Sequence, residues 1–93
     1  MPTITKEETR TELEDKLGQP YIVWLHNDDY NTFDHVIECM MRICGHEIEV
    51  SSQIAHIVHF NGKCDVKRGS IEDMKNIYNK LKSEQLTVTL ERS

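Results

Sequence analysis

The sequence is short of glycine, of positive charge and of long apolar runs, and each shortage excludes a class of function. Its four glycines form neither a phosphate-binding loop nor the sharp turn around a nucleophilic serine or cysteine. Eleven basic residues against sixteen acidic ones give a formal net charge of -5, which argues against nucleic acid or an anionic membrane as a main partner. No apolar run could span a bilayer, and the N-terminus lacks a signal-peptide pattern, so we expect a cytoplasmic protein.

Cysteine is also scarce. Cys39, Cys44 and Cys64 are an odd number of cysteines, and they stand at no metal-ligand spacing. In a reducing cytoplasm such residues are usually small buried hydrophobic side chains, and we interpret them in that way. No metal ion and no other cofactor is expected.

What the sequence does contain is typical of one small globular domain. Of its 93 residues, 38% are hydrophobic and 29% are charged. Residues 1–18 are polar with few apolar side chains, and Gly18 and Pro20 close this segment. We therefore predict a flexible tail at residues 1–18 and a folded domain at residues 19–93.

Hydrophobic periodicity predicts six elements, at about 21–26, 33–44, 52–61, 63–69, 71–81 and 86–91. Their order is strand, helix, helix, strand, helix, strand. This order predicts an α+β domain, in which three helices cover a small, mainly antiparallel three-stranded sheet. Ser51 or Ser52 is the predicted cap of the second helix, and the second strand is predicted to lie at an edge.

A polar stretch at residues 27–32 joins the first predicted strand to the first predicted helix. Asn and Asp favour such turns because their side chains form hydrogen bonds with the nearby backbone. Thr32 can cap the helix that follows. Asp28 and Asp29 are adjacent, whereas the paired carboxylates of acid–base catalysis normally converge from separate elements. Catalysis is therefore not expected, and the protein is predicted not to be an enzyme.

Two histidines offer an alternative from another functional class. His56 and His59 lie three residues apart on the second predicted helix, so they are neighbours on its surface. With Asp28 or His35 they could form a small metal-binding or hydrolytic site. His56 is more simply a solvated histidine, and His59 a histidine favoured by the negative end of the helix dipole.

Three motifs together resemble one known family. They are Asn27-Asp28-Asp29-Tyr30 between a strand and a helix, Val58-His59-Phe60-Asn61-Gly62-Lys63 downstream, and a closing strand at residues 86–91. This combination resembles the ClpS family, the adaptors of bacterial and plastid Clp proteases that recognise N-terminal degrons. The resemblance covers about Gln19 to Arg92, and it implies a non-catalytic adaptor. The same fold serving a different partner is a second alternative.

The resemblance implies that Asn27, Asp28 and His59 hold the free α-amino group of a substrate. An ammonium group only donates hydrogen bonds, and an amide oxygen, a carboxylate and a neutral imidazole nitrogen can accept them. The charge of Asp28 would strengthen its bond. By the same reasoning Asp29, Tyr30 and Thr32 are expected to shape the turn and to start the helix.

The resemblance also implies an apolar pocket for the first side chain of the substrate. Its predicted walls come from both early helices and two strands: Leu25, Phe33, Val36, Ala55, Val58 and Leu86. Phe33 and Ala55 stand where the family often has methionine. We hypothesise that Ala55 makes the pocket roomier, so that it accepts β-branched or bulkier first residues. Alternatively, Phe33 fills the space and the specificity is ordinary. His26 is predicted to point away from the pocket, because strand neighbours alternate.

The implied partners are N-degron peptides or proteins and the N-terminal domain of a Clp AAA+ unfoldase. Glu72 matches the acidic docking position at the start of the third helix, and Lys75 is the nearest basic candidate. Residues 1–18 would engage the unfoldase during delivery. We expect a bacterial cytoplasmic monomer that binds neither nucleic acid nor membrane.

Overall fold

The computed structural model describes residues 20–93, so the predicted tail at residues 1–18 lies outside the described residues. Six elements follow in the predicted order: β1 (Tyr21–His26), α1 (Phe33–Arg42), α2 (Ile48–Asn61), β2 (Lys63–Gly69), α3 (Ile71–Ser83) and β3 (Val88–Arg92). The α+β class and the βααβαβ order are therefore confirmed.

The sheet has the order β2-β1-β3, and both pairings are antiparallel. The apolar strand β1 is central, and β2 lies at an edge as predicted. A register shift at Val23/Trp24 interrupts the pairing with β2, which resumes so that His26 faces Lys63. The end of β1 therefore lies beside the start of β2, directly after α2.

One face of the sheet packs against all three helices. Val23 and Leu25 of β1 are almost fully buried, as are Met40 of α1 and Leu81 of α3. Alternate residues of β2 and β3 join the same core, with three residues of α2: Cys64, Val66, Val88, Ile54, Ala55 and Val58. Cys39, Cys44 and Cys64 are buried and free, in agreement with their interpretation as small hydrophobic residues.

The predicted boundaries hold at some ends and fail at others. Thr32 caps α1, and its Oγ1 accepts a hydrogen bond from the backbone N–H of His35 at 3.1 Å. The predicted cap of α2 at Ser51 or Ser52 is wrong, because the helix begins at Ile48 with Glu47 in extended conformation before it. Ser51 instead lies inside the helix, fully buried, and its hydroxyl has no hydrogen-bond partner among the described residues.

The last strand is shorter than predicted. It begins at Val88, while Leu86 belongs to the connection from α3, where its N–H donates to the carbonyl of Leu81 at 3.2 Å. Gln85 adopts a positive φ of 66°, which turns the chain out of the helix. Leu86 is therefore held at a bend rather than within the sheet. In the part of the chain from residue 20 onward, no helix is long and apolar enough to cross a membrane.

Candidate functional site

The turn between β1 and α1 is organised around the carboxylate of Asp28. Its Oδ1 accepts hydrogen bonds from the backbone N–H groups of Tyr30 and Asn31, both at 2.9 Å. Its Oδ2 accepts from the Asn31 side-chain amide at 2.7 Å and from the Thr87 hydroxyl at 3.1 Å. These four bonds occupy the lone-pair positions of both oxygens, so Asp28 fixes the turn and ties it to the segment before β3.

Electrostatics at this carboxylate follow from the same contacts. Partial burial raises the pKa of Asp28, but the hydrogen bonds from Asn31, Tyr30 and Thr87 lower it by more. The net pKa lies below the usual aspartate value, so the group stays ionised over a wide pH range. The turn therefore carries a negative charge at neutral pH.

Two backbone hydrogen bonds bring distant segments to this turn. The N–H of Asn27 donates to the carbonyl of Gly62 at 2.8 Å, which joins the end of β1 to the end of α2. Gly62 has a φ of 94°, a left-handed conformation that glycine adopts without strain. The N–H of His26 donates to the carbonyl of Thr87, also at 2.8 Å. His59, in the last turn of α2, is thereby placed next to the Asn27–Asp28 turn.

These segments enclose one cavity of about 300 Å³. All nine residues that the sequence predicts for the site line it: Leu25, Asn27, Asp28, Phe33, Val36, Ala55, Val58, His59 and Leu86. The apolar members Leu25, Ala55, Val58 and Leu86 are buried, whereas Asn27 and His59 are exposed. The cavity therefore combines an apolar interior with hydrogen-bond acceptors. The structure brings the nine residues together, and their roles toward a ligand stay predictions.

Phe33 and the two histidines of α2 form an aromatic group beside the cavity. The Phe33 ring lies edge-on to His56 at 5.0 Å and to His59 at 5.3 Å between centroids. Phe60 continues this group, with its ring 4.8 Å from that of His59. Edge-to-face packing of this kind holds rings in one orientation. Phe33 thus packs on the histidines as well as lining the cavity.

Four further residues line the cavity: His26, Asp29, Asn31 and Thr32. His26 is one of the lining residues, but its side chain points away from the cavity as predicted. Its Nε2 lies 2.8 Å from Oγ1 of Thr89, which is exposed on the face of β3 opposite to buried Val88. The sequence did not identify Thr87, because only the fold brings a residue before the last strand to Asp28.

The assignments of Asp28 and Asp29 need revision in one respect. Asp29 was expected to shape the turn, yet the four bonds that shape it go to Asp28. The carboxylate of Asp29 makes no hydrogen bond within residues 20–93 and belongs to the cavity lining. Both residues favour turns, so the sequence alone cannot tell which of the two aspartates folds back on the backbone.

The alternative site of Asp28, His56 and His59 is not favoured by the geometry. His56 is exposed, and its Nδ1 donates to the carbonyl of Ser52 at 2.9 Å. Within the described part of the chain, the ligand atoms that converge belong to other residues: His35, Cys39 and Glu84. Glu72 and Lys75, the predicted docking residues, are exposed on α3 and do not line the cavity.

Comparisons with known proteins agree with the fold and the motifs. A family model described as ATP-dependent Clp protease adaptor protein ClpS matches residues 16–89. The ATP-dependent Clp protease adapter protein ClpS of Nostoc sp. is 32% identical over 88 residues, which cover 94% of this chain and 90% of that protein. The protein of the same name from Desulforapulum autotrophicum is 38% identical over 60 residues, 62% of this chain and 58% of that protein.

A solved structure gives the same answer for the fold. Agrobacterium tumefaciens ClpS2, bound to L-phenylalaninamide, superimposes with a TM-score of 0.68 at 20% identity, over 81% of this chain and 98% of that chain. The family match spans most of the sequence and includes every residue that lines the cavity. The chain belongs to the ClpS family of ATP-dependent Clp protease adaptor proteins.

Proposed function

We propose that the protein is an adaptor for N-degron substrates. It binds the free α-amino group and the large hydrophobic first side chain of a substrate and delivers that substrate to a Clp AAA+ unfoldase for degradation. The observation that carries the proposal is the cavity, which places exposed acceptors next to buried apolar walls. The N-terminal residue of a substrate matches this arrangement, because its ammonium group and its side chain are attached to the same α-carbon. The ammonium group can meet the acceptors while the side chain meets the apolar walls.

The acceptors differ in what each can offer an ammonium group. The side chains of Asn27 and His59 make no hydrogen bond within residues 20–93, so their acceptor atoms are available. Asp28 already accepts four hydrogen bonds, and it therefore acts through its charge and by holding the turn. Asp29 lines the same cavity with a carboxylate that is unengaged among the described residues, which makes it a further acceptor.

The apolar part of the cavity selects the first side chain by burial. Transfer of a large apolar side chain from water into such a site is favourable by about 1.5–3 kcal/mol. Buried Leu25, Val58 and Leu86 form walls without hydrogen-bonding groups, so a charged first residue would lose its hydration without compensation. The preferred substrates therefore begin with Leu, Phe, Tyr or Trp.

Delivery requires a second surface on the protein. The proposed partner is the N-terminal domain of a Clp AAA+ unfoldase, which docks at Glu72 and Lys75 on exposed positions of α3. Residues 1–18 engage the unfoldase during transfer. The protein acts as a cytoplasmic bacterial monomer and performs no catalysis itself.

The decisive experiment compares a Leu-initiated peptide with the same peptide acetylated at its N-terminus. Acetylation removes the cation and its donors, so fluorescence-anisotropy binding should be lost. Asn27→Ala and His59→Ala should each weaken binding of the free peptide. Gln53→Ala is the control, because Gln53 is exposed on the same helix and does not line the cavity. Equal binding of both peptides would refute the proposal.

A further inference from the structure

A second cluster of metal-ligating side chains lies between α1 and the end of α3. Nε2 of His35 is 3.8 Å from Sγ of Cys39. The two residues are four apart on α1, so their side chains share one face of the helix. Glu84 follows α3 directly, and the ligand atoms of the three residues all lie within 4.8 Å of one another.

We propose that His35, Cys39 and Glu84 bind one divalent transition-metal ion of the Zn²⁺ type. In a tetrahedral zinc site, Zn–S and Zn–N bonds of about 2.3 and 2.0 Å place the nitrogen about 3.5 Å from the sulfur. The observed separation of 3.8 Å is close to that value. A nitrogen, a sulfur and an oxygen donor together suit Zn²⁺ or Co²⁺, whereas Mg²⁺ and Ca²⁺ prefer oxygen ligands throughout.

The surroundings leave room for an ion and for a fourth ligand. His35 and Glu84 are half-buried and border a groove of about 400 Å³, which also contacts Ser83 and Gln85. Cys39 is fully buried behind them. An ion can enter from the groove, and a water molecule from the groove can complete four-fold coordination.

Two existing contacts compete with the ion. Nε2 of His35 donates to the backbone carbonyl of Glu84 at 3.0 Å, so the ring must place its proton on Nδ1 to bind metal. Arg42 pairs with Oε1 of Glu84 at 2.6 Å, and it also reaches Glu38 at 3.6 Å. Because the Arg42 guanidinium can stay paired with Glu38, the carboxylate of Glu84 can rotate toward the metal. Arg42 therefore lowers metal affinity without being a ligand.

Bound metal would join α1 to the C-terminal end of α3. Glu84 is followed in the chain by Gln85 and Leu86, so the ion would also restrain the connection from α3 to β3. The ion would stabilise the folded state in proportion to its free concentration. The site is separate from the substrate cavity, because none of its three ligands lines that cavity.

The test uses the full chain without a histidine tag, stripped by a chelator and fully reduced. Co²⁺ titration should produce one saturable thiolate-to-cobalt absorption band, and one equivalent of Zn²⁺ should remove it. Cys39→Ala should abolish the band, whereas Cys44→Ala and Cys64→Ala, at the two other buried cysteines, should retain it. Absence of a saturable band in the wild type, or its survival in Cys39→Ala, would overturn the proposal.

Two variants outside the buried core, at Glu84 and Arg42, keep the test valid if Cys39→Ala folds poorly. Glu84→Gln should weaken Co²⁺ affinity roughly tenfold or more, because it replaces a charged ligand. Arg42→Ala should change affinity in the opposite direction, since it removes the competing cation from Glu84. Unchanged affinity in Glu84→Gln, or weaker binding in Arg42→Ala, would rule out the three-residue site.

Discussion

Replacement of Ala55 by methionine tests how the cavity sets substrate preference. Ala55 is 3% exposed, lies on α2 and lines the cavity of about 300 Å³. Methionine adds three non-hydrogen atoms to this wall. Because Ala55 is buried and lines the cavity, we expect the added atoms to enter the cavity rather than solvent.

The magnitude follows from the cost of overpacking. Extra methylene-sized groups in a packed apolar site cost about 1–3 kcal/mol when the occupant cannot shift. For a peptide that begins with Trp or Ile, this cost corresponds to about 5- to 150-fold weaker binding. A Leu side chain is smaller than Trp and, unlike Ile, is not branched at Cβ, so it can shift away from the added atoms and its affinity should change less than about fivefold. The ratio of the two affinities is therefore the quantity to follow.

The assay is fluorescence anisotropy with peptides that differ only in the first residue. Val50→Met is the matched control, because Val50 is on the same helix but is exposed and does not line the cavity. If Ala55→Met binds Trp-, Ile- and Leu-initiated peptides with wild-type ratios, Ala55 does not limit the pocket. The hypothesis of a roomier pocket would then be wrong.

Three stability measurements test other features by urea unfolding. The pKa of Asp28 is lower in the folded state, so its contribution to stability is present above the unfolded-state value and is lost as pH falls through the folded-state value. Asp28→Asn should therefore flatten the decline in stability that begins as pH approaches the ordinary aspartate value of 3.8 and continues below it, and an unchanged decline would contradict the assignment. Ser51→Ala should raise the free energy of unfolding by about 1 kcal/mol, because a buried hydroxyl without a partner is removed; a loss would indicate a buried water partner. Thr87→Val should lower that free energy by about 0.5–1 kcal/mol and weaken peptide binding, whereas Thr89→Val should spare binding.

The fold could be predicted from hydrophobic periodicity because β1, α1 and the C-terminal segment each have one clear period, whereas the signal for β2 is weak. The buried run in β1, the amphipathic residues of α1 and the alternation before the C-terminus all give unambiguous signals. The predicted start of α2 was wrong for a physical reason. Serine is a residue type that often caps helices, but this helix already begins at Ile48. Ser51 therefore lies inside it, with a buried hydroxyl that has no hydrogen-bond partner among the described residues.

The candidate site could be predicted from motifs, while its internal contacts could not. The nine residues were identified by resemblance, and they line one cavity. Which aspartate accepts the turn's hydrogen bonds depends on the backbone dihedral angles of the turn. Asp28 and Asp29 can both adopt such angles, so the sequence does not distinguish them. The approach of Thr87 to Asp28 depends on the pairing of β3 with β1, which no local pattern encodes. The sequence also does not reveal the cluster of His35, Cys39 and Glu84, because Glu84 reaches the other two residues only through the packing of the end of α3 against α1.

The two backbone hydrogen bonds donated by His26 and Asn27 have a consequence for the proposed delivery of substrates. They make the cavity a meeting point of three chain segments, so the cavity cannot survive if any one of them detaches. A bound substrate therefore opposes detachment of all three, and at about 100 times its dissociation constant it adds about 2.7 kcal/mol to the free energy of unfolding. An adaptor with bound substrate is consequently more stable to unfolding than an empty one. That added stability would be lost once the substrate has left.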